Sequence, residues 1–151
     1  LAPPFAPPLH SSIPHRARKW TDPARPPRAA LTRAEVAIAQ RLQSTDPETT
    51  VILHDRPLSP SLTAIVSGRR IVLGWDVRYS AVGGEARLAD VNRFYSSAAG
   101  GADAAFEMLR TYRVTHVIVR PHDDRVHPAV LAKLTPVLAF PDVVLYAVPP
   151  P

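Results

Sequence analysis

The chain has no cysteine. That absence excludes disulfides, thiolate metal sites, a thiol nucleophile and an acylated lipoprotein-type cysteine together. No apolar run reaches the roughly 20 residues that a membrane-spanning helix needs, and no secretory leader is visible. Glycine is scarce, at six in 151 residues. None of the six sits in a phosphate cradle: G-x-G-x-x-G after a strand and G-x-x-x-x-G-K-S/T are both missing. Gly100-Gly101 reads instead as the linker into a helix. The G-x-S-x-G elbow is also missing, so Ser59, Ser61 and Ser67 have no framework for a hydrolase triad. The first residue is Leu1 rather than Met, and the expectation is a processed product or a piece of a longer protein.

Proline is what the chain has in excess. Eight of its 18 prolines fall in residues 1–30, and that stretch holds Arg16, Arg18, Lys19, Arg25 and Arg28 against Asp22 alone. The remaining 121 residues carry 13 basic and 12 acidic side chains. The high pI therefore belongs to the arm, and the rest is close to neutral. Proline removes amide donors and disfavours helix in the residue before it, so residues 1–30 read as an extended, Pro-rich basic arm. At about 3.1 Å per residue, a polyproline II arm of this length reaches on the order of 90 Å. Phe5, Leu9, Ile13 and Trp20 are its apolar anchors, and Arg16, Arg18 and Lys19 its cationic ones; these seven are the expected partner-binding residues. The arm lacks the dense Lys/Arg runs and stacking aromatics of a nucleic-acid binder, so nucleic acid is not expected as a partner. Anionic lipid or an acidic protein surface suits it.

Residues 31–151 read as a single α/β domain. Thr32-Arg-Ala-Glu35 is a capping box that opens a helix to Gln43, with Val36, Ile38, Ala39 and Leu42 on its apolar side. Buried strands follow at 50–54 and 70–73, with a short helix over 59–67 between them, ended by Gly68. Helices are expected over 85–95 and 102–112. The run 114–119 is nearly continuous in apolar residues, as a strand buried on both faces in a parallel sheet must be. Pro128 opens a short helix to Leu134. Residues 137–140 and 143–148 form a hairpin turning at Pro141-Asp142. Alternating strands and helices predict a small three-layer Rossmann-like sandwich, mainly parallel, with an antiparallel C-terminal hairpin.

Candidate chemistry is sparse. His116, inside the central strand, reads as a structural histidine. His122, Asp123, Asp124 and His127 form the densest group of potential ligands, just beyond the end of that strand, where open α/β sheets bind ligands. Two histidines five apart in a loop, with no second cluster, do not make a metal shell. Asp124 suits local turn hydrogen bonding better. No catalytic, metal or cofactor-binding residue is assigned.

Four stretches, SGRRIVLGWD (67–76), ADVNRFYSS (89–97), LRTYRVTHVIVRP (109–121) and FPDVVLYAV (140–148), occur in an order that resembles the soluble C-terminal domain of polytopic bacterial GT-C-type glycosyltransferases. Those proteins use lipid-phosphate-sugar donors. The Ala-, Arg- and Pro-rich composition also suggests a GC-rich bacterial genome. The resemblance implies an extracytoplasmic, peripheral domain on a bacterial membrane. It carries over no catalytic residue, because the family's catalytic acids lie between membrane helices that this chain lacks. His116 stands where the family commonly has an aromatic, Arg120-Pro121 replaces a glycine turn, and the Pro-rich arm replaces a membrane helix. Two functional readings result. In the first, a non-catalytic subunit docks on an integral membrane assembly through its arm and stabilises it. In the second, the chain is the substrate-recognition domain of a glycosyltransferase whose membrane part lies elsewhere, with Trp75, Asp76, His122 and Asp123 as its ligand surface.

Overall fold

The computed structural model describes residues 31–54, 67–73, 84–96, 101–122 and 124–150. Among these it shows a mixed α/β arrangement of five strands and four helices. In chain order they are α1 (Arg33–Gln43), β1 (Val51–Leu53), β2 (Arg70–Ile71), α2 (Gly84–Ser96), α3 (Gly101–Thr111), β3 (His116–Val119), α4 (Pro128–Leu131), β4 (Thr135–Ala139) and β5 (Val144–Ala147). None of these helices is long and apolar enough to cross a membrane.

The sheet is open, in the order β2-β1-β3-β5-β4. β1 pairs in parallel with both β2 and β3, and β5 pairs antiparallel with both β3 and β4. Four strands therefore run one way and β5 alone runs the other. The hairpin expected at the end of the chain forms, with Phe140 N–H donating to Val143 O at 2.9 Å across Pro141-Asp142. Its second strand, β5, is the one that joins the parallel set, so β4 is left as an edge. Pro136 lies in β4 next to a register shift. An edge strand tolerates such a residue, because the missing N–H costs no interior ladder bond.

Strand periodicity sends alternate side chains to two separate cores. Leu53, Val117 and Val119 pack with Val91, Phe94 and Tyr95 of α2, Met108 and Leu109 of α3, and Val130 of α4. Ile52, Ile118 and Leu145 pack with Ala34, Ile38 and Leu42 of α1. β3 is thus buried on both faces, as its apolar run demands. Each fully buried Ile or Leu here contributes roughly 1.5–3 kcal/mol from apolar burial.

Local signals set the element ends. In α1 the Thr32 hydroxyl accepts from Glu35 N–H, and the Glu35 carboxylate accepts from Thr32 N–H at 2.8 Å. Val36, however, is 39% exposed. It stands two residues from Ala34, about 200° around the helix, so it faces away from the stripe formed by Ala34, Ile38 and Leu42. β3 starts at His116 rather than Val114, because residues 113 and 114 are occupied in ending α3. Val114 N–H donates to Leu109 O at 2.9 Å and Arg113 N–H to Arg110 O at 3.0 Å, with Arg113 at φ 52. Those are the paired bonds of a Schellman turn, with arginine at the left-handed position that glycine usually fills. β2 is also shorter than expected: it ends at Ile71, although Val72 N–H still donates to Ile52 O at 3.0 Å, and Val72 and Leu73 enter the core. α4 stops at Leu131 and β4 begins two residues early, at Thr135. Gly68, expected to end a helix, does have a positive φ of 67; residues 59–66 of that expected helix lie outside the described residues.

Candidate functional site

The strand order places a topological switch point between β1 and β3. The chain leaves β1 for β2 on one side and later enters β3 on the other. In open α/β sheets the crevice beyond the carboxyl ends of two such strands is the usual ligand position. Here His54 follows β1, and Arg120, Pro121, His122 and Asp124 follow β3. The first turn of α1 brings Glu35 to the same end of the sheet, and the last turn of α2 brings Tyr95.

These groups are joined to one another. The Arg120 guanidinium lies 2.6 Å from the Glu35 carboxylate, with side-chain exposures of 22% and 7%. Glu35 is also the capping-box residue, so one carboxylate ties the start of α1 to the end of β3. Asp124 and Arg120 bond reciprocally: Arg120 N–H donates to Asp124 Oδ2 at 2.6 Å, and Asp124 N–H donates to Arg120 O at 2.8 Å. This is the local turn role expected for Asp124. Tyr95 Oη donates to Ile118 O at 2.8 Å, and Arg125 N–H donates to Tyr95 O at 2.9 Å. His54 is buried at 4% exposure beside this network. Glu35, Arg120, Asp124 and Tyr95 therefore hold backbone and helix ends in place. A reacting group would instead have to be poised towards an open crevice.

Of the residues expected to form a ligand surface or to bind a partner, the structure describes one. His122 is exposed on the loop after β3. Trp75, Asp76 and Asp123 lie outside the described residues, as do Phe5, Leu9, Ile13, Arg16, Arg18, Lys19 and Trp20. His127 turns to a structural task, its Nδ1 accepting from Ala129 N–H at 3.2 Å as the N-cap of α4. Among the described residues no group of three or more His, Asp or Glu side chains could hold a metal ion. His116 is half-buried, with Nδ1 3.0 Å from Thr115 Oγ1. Burial, and secondarily the Arg41 charge, hold its pKa below the ordinary histidine value of 6.5.

Sequence reasoning passed over two groups. One is Arg69, whose guanidinium collects the end of α1: Nε donates to Leu42 O at 3.0 Å, and Nη2 to Gln43 O at 2.5 Å and Thr45 O at 2.7 Å. A basic residue 27 positions from its target carries no local signal. The other is a groove of about 1000 Å³ at the opposite, amino end of β1 and β3, between α3 and residues 148–150. Its apolar residues read from sequence as ordinary core positions. A recess between α2 and α3, beside Asp90 and His127, is only about 20 Å³, which is room for about one water molecule. Comparison with protein-family models, curated proteins and solved structures gives no match to this chain.

Proposed function

We propose that this chain is a non-catalytic extracytoplasmic subunit or domain that docks on an integral membrane protein assembly and stabilises it. The docking element is the arm, residues 1–30, with Phe5, Leu9, Ile13 and Trp20 as apolar anchors. Arg16, Arg18 and Lys19 meet acidic partner groups or anionic lipid headgroups. The α/β body is a three-layer Rossmann-like sandwich held at the outer, periplasmic face of a bacterial membrane, as in the GT-C-type proteins that its four motifs resemble.

The observation that carries this reading is the state of the switch point. Arg120, Glu35 and Asp124 are engaged with one another and with backbone, at the place where a sheet of this order would hold a substrate. The unequal charge distribution supports the same reading, because five of the 18 basic side chains and only one of the 13 acidic ones lie in the arm. Basic side chains close in sequence to apolar anchors suit an acidic surface next to a membrane.

The test compares membrane association of the full chain with that of a variant carrying Arg16→Glu, Arg18→Glu and Lys19→Glu, and with a chain lacking residues 1–30. Co-purification with integral membrane proteins should fall sharply in both while the circular dichroism of the body is kept. Association that is unchanged in both would overturn the reading.

A further inference from the structure

We propose that the groove at the amino end of β1 and β3 binds a single-chain amphiphile with one negative charge, of the fatty-acid type. This goes beyond arm docking and does not depend on it.

The groove holds about 1000 Å³, at the upper end of the roughly 300–1000 Å³ typical of small-molecule sites. Half-buried Phe106 and Val148 and buried Leu109 and Val114 are its apolar lining. The cations stand on the same lining: Arg110, Arg113 and Lys133 against Asp103. Arg110 is spoken for, since its guanidinium lies 2.6 Å from the Glu107 carboxylate. The Lys133 ammonium sits 4.8 Å from the centre of the Phe106 ring, which sets a cation directly beside an apolar wall. The Arg113 side chain has no ion pair or hydrogen bond among the described residues. With Asp103 set against Arg113 and Lys133, and Glu107 against Arg110, the groove keeps a surplus of one positive charge. That surplus matches a monoanion.

Arg113 carries a second, independent signal. It occupies the left-handed position of the turn after α3, at φ 52. A non-glycine residue there costs roughly 1–2 kcal/mol, and such outliers point toward a use for the side chain. The residue with this backbone is one of those that line the groove.

The state of the backbone selects an alkyl chain over a peptide. At this end of the sheet Thr115 N–H donates to Val51 O at 2.9 Å, Val148 N–H to Thr115 O at 2.8 Å, and Val51 N–H to Thr115 Oγ1 at 3.0 Å. A peptide laid over Phe106 and Val148 would bury amides without these partners, at a cost of roughly 1–3 kcal/mol each. A hydrocarbon chain has no such groups to satisfy.

The full chain is titrated with sodium dodecanoate below its micelle concentration, followed by calorimetry and by amide NMR shifts. Saturable single-site binding is expected, with shifts centred on Phe106, Arg113 and Val148. Arg113→Gly keeps the turn geometry while removing the charge, and Lys133→Ala removes the second cation. Each should weaken binding about tenfold, equivalent to about 1.4 kcal/mol. Dodecyl maltoside at the same concentration should leave the shifts unchanged. A flat dodecanoate titration, unchanged affinity in both variants, or an equal response to the neutral detergent would overturn the proposal. Tighter binding of dodecyl phosphate would overturn the monoanion assignment, and saturable binding of a Leu/Glu peptide in place of dodecanoate would overturn the choice of an alkyl chain.

Discussion

Glu35 and Arg120 stand 85 positions apart in the chain, and their carboxylate and guanidinium meet at 2.6 Å, largely buried, at the end of the central strand. The same carboxylate caps α1. One side chain thus joins a local helix signal to the long-range closure of the sheet.

Breaking that pair should be costly, because it strands a buried charge. Glu35→Ala should lower the unfolding free energy by about 3 kcal/mol, and Arg120→Ala by a similar amount. Replacing both with methionine should recover most of the loss, since an apolar pair needs no desolvation of charge. Urea unfolding of the two single variants and the double variant provides the check. Single variants within about 0.5 kcal/mol of the parent chain would show that the pair is not formed as described.

Arg69 gathers Leu42, Gln43 and Thr45 carbonyls with a planar fork that lysine cannot reproduce. Arg69→Lys should therefore destabilise by about 1–2 kcal/mol despite keeping the charge. Amide hydrogen exchange should speed up first in the last turn of α1. Exchange that accelerates evenly over the whole domain would argue against a local clasp.

Tyr95→Phe removes the donor to the buried Ile118 carbonyl while keeping the ring against Phe94, with centroids 5.1 Å apart. A loss of about 1–2 kcal/mol is expected from the unsatisfied acceptor. Thermal melting of the variant measures it, and an unchanged midpoint would mean that the acceptor finds another donor.

The pH response follows from His116, whose pKa burial and, to a smaller extent, Arg41 depress in the folded state. The folded chain holds the proton less tightly than the unfolded chain. The contribution to stability is therefore intact above the ordinary value of 6.5. It is lost as pH falls below that value and through the depressed folded pKa. His116→Gln should flatten this part of the stability–pH curve. The His116 ring proton resonances, followed by NMR, should titrate below the ordinary value; titration above it would reverse the sign.

Much of the fold was readable from short stretches. Thr32 and Glu35 announce α1, and Pro141-Asp142 announces the hairpin. The run through Val117, Ile118 and Val119 announces a strand covered on both sides. Val36 misled, because apolarity is not position: it lies off the face that Ala34, Ile38 and Leu42 share. Val114 also misled, because its β-branched side chain suits a strand while its N–H is taken by the turn that ends α3. The candidate ligand surface was less readable. His122 is placed and exposed, and its expected companions Trp75, Asp76 and Asp123 fall outside the described residues. The groove beside Arg113 gave no sequence signal, because nothing in an isolated arginine shows that its backbone is left-handed.

The sequence by itself determined most of the segments that the described residues show as helices and strands, where several of them start and stop, and that the charge surplus lies in residues 1–30. Caps, turns and apolar periods act over a few residues, so their physics is complete within a short window. Only the tertiary structure decided that β5 lies between β3 and β4 and that Arg120 turns to Glu35. It also decided that Phe106, Arg113, Lys133 and Val148 border one groove. Those outcomes depend on pairings between distant segments, chosen by the joint burial of two apolar faces, and no local stretch of chain encodes them separately.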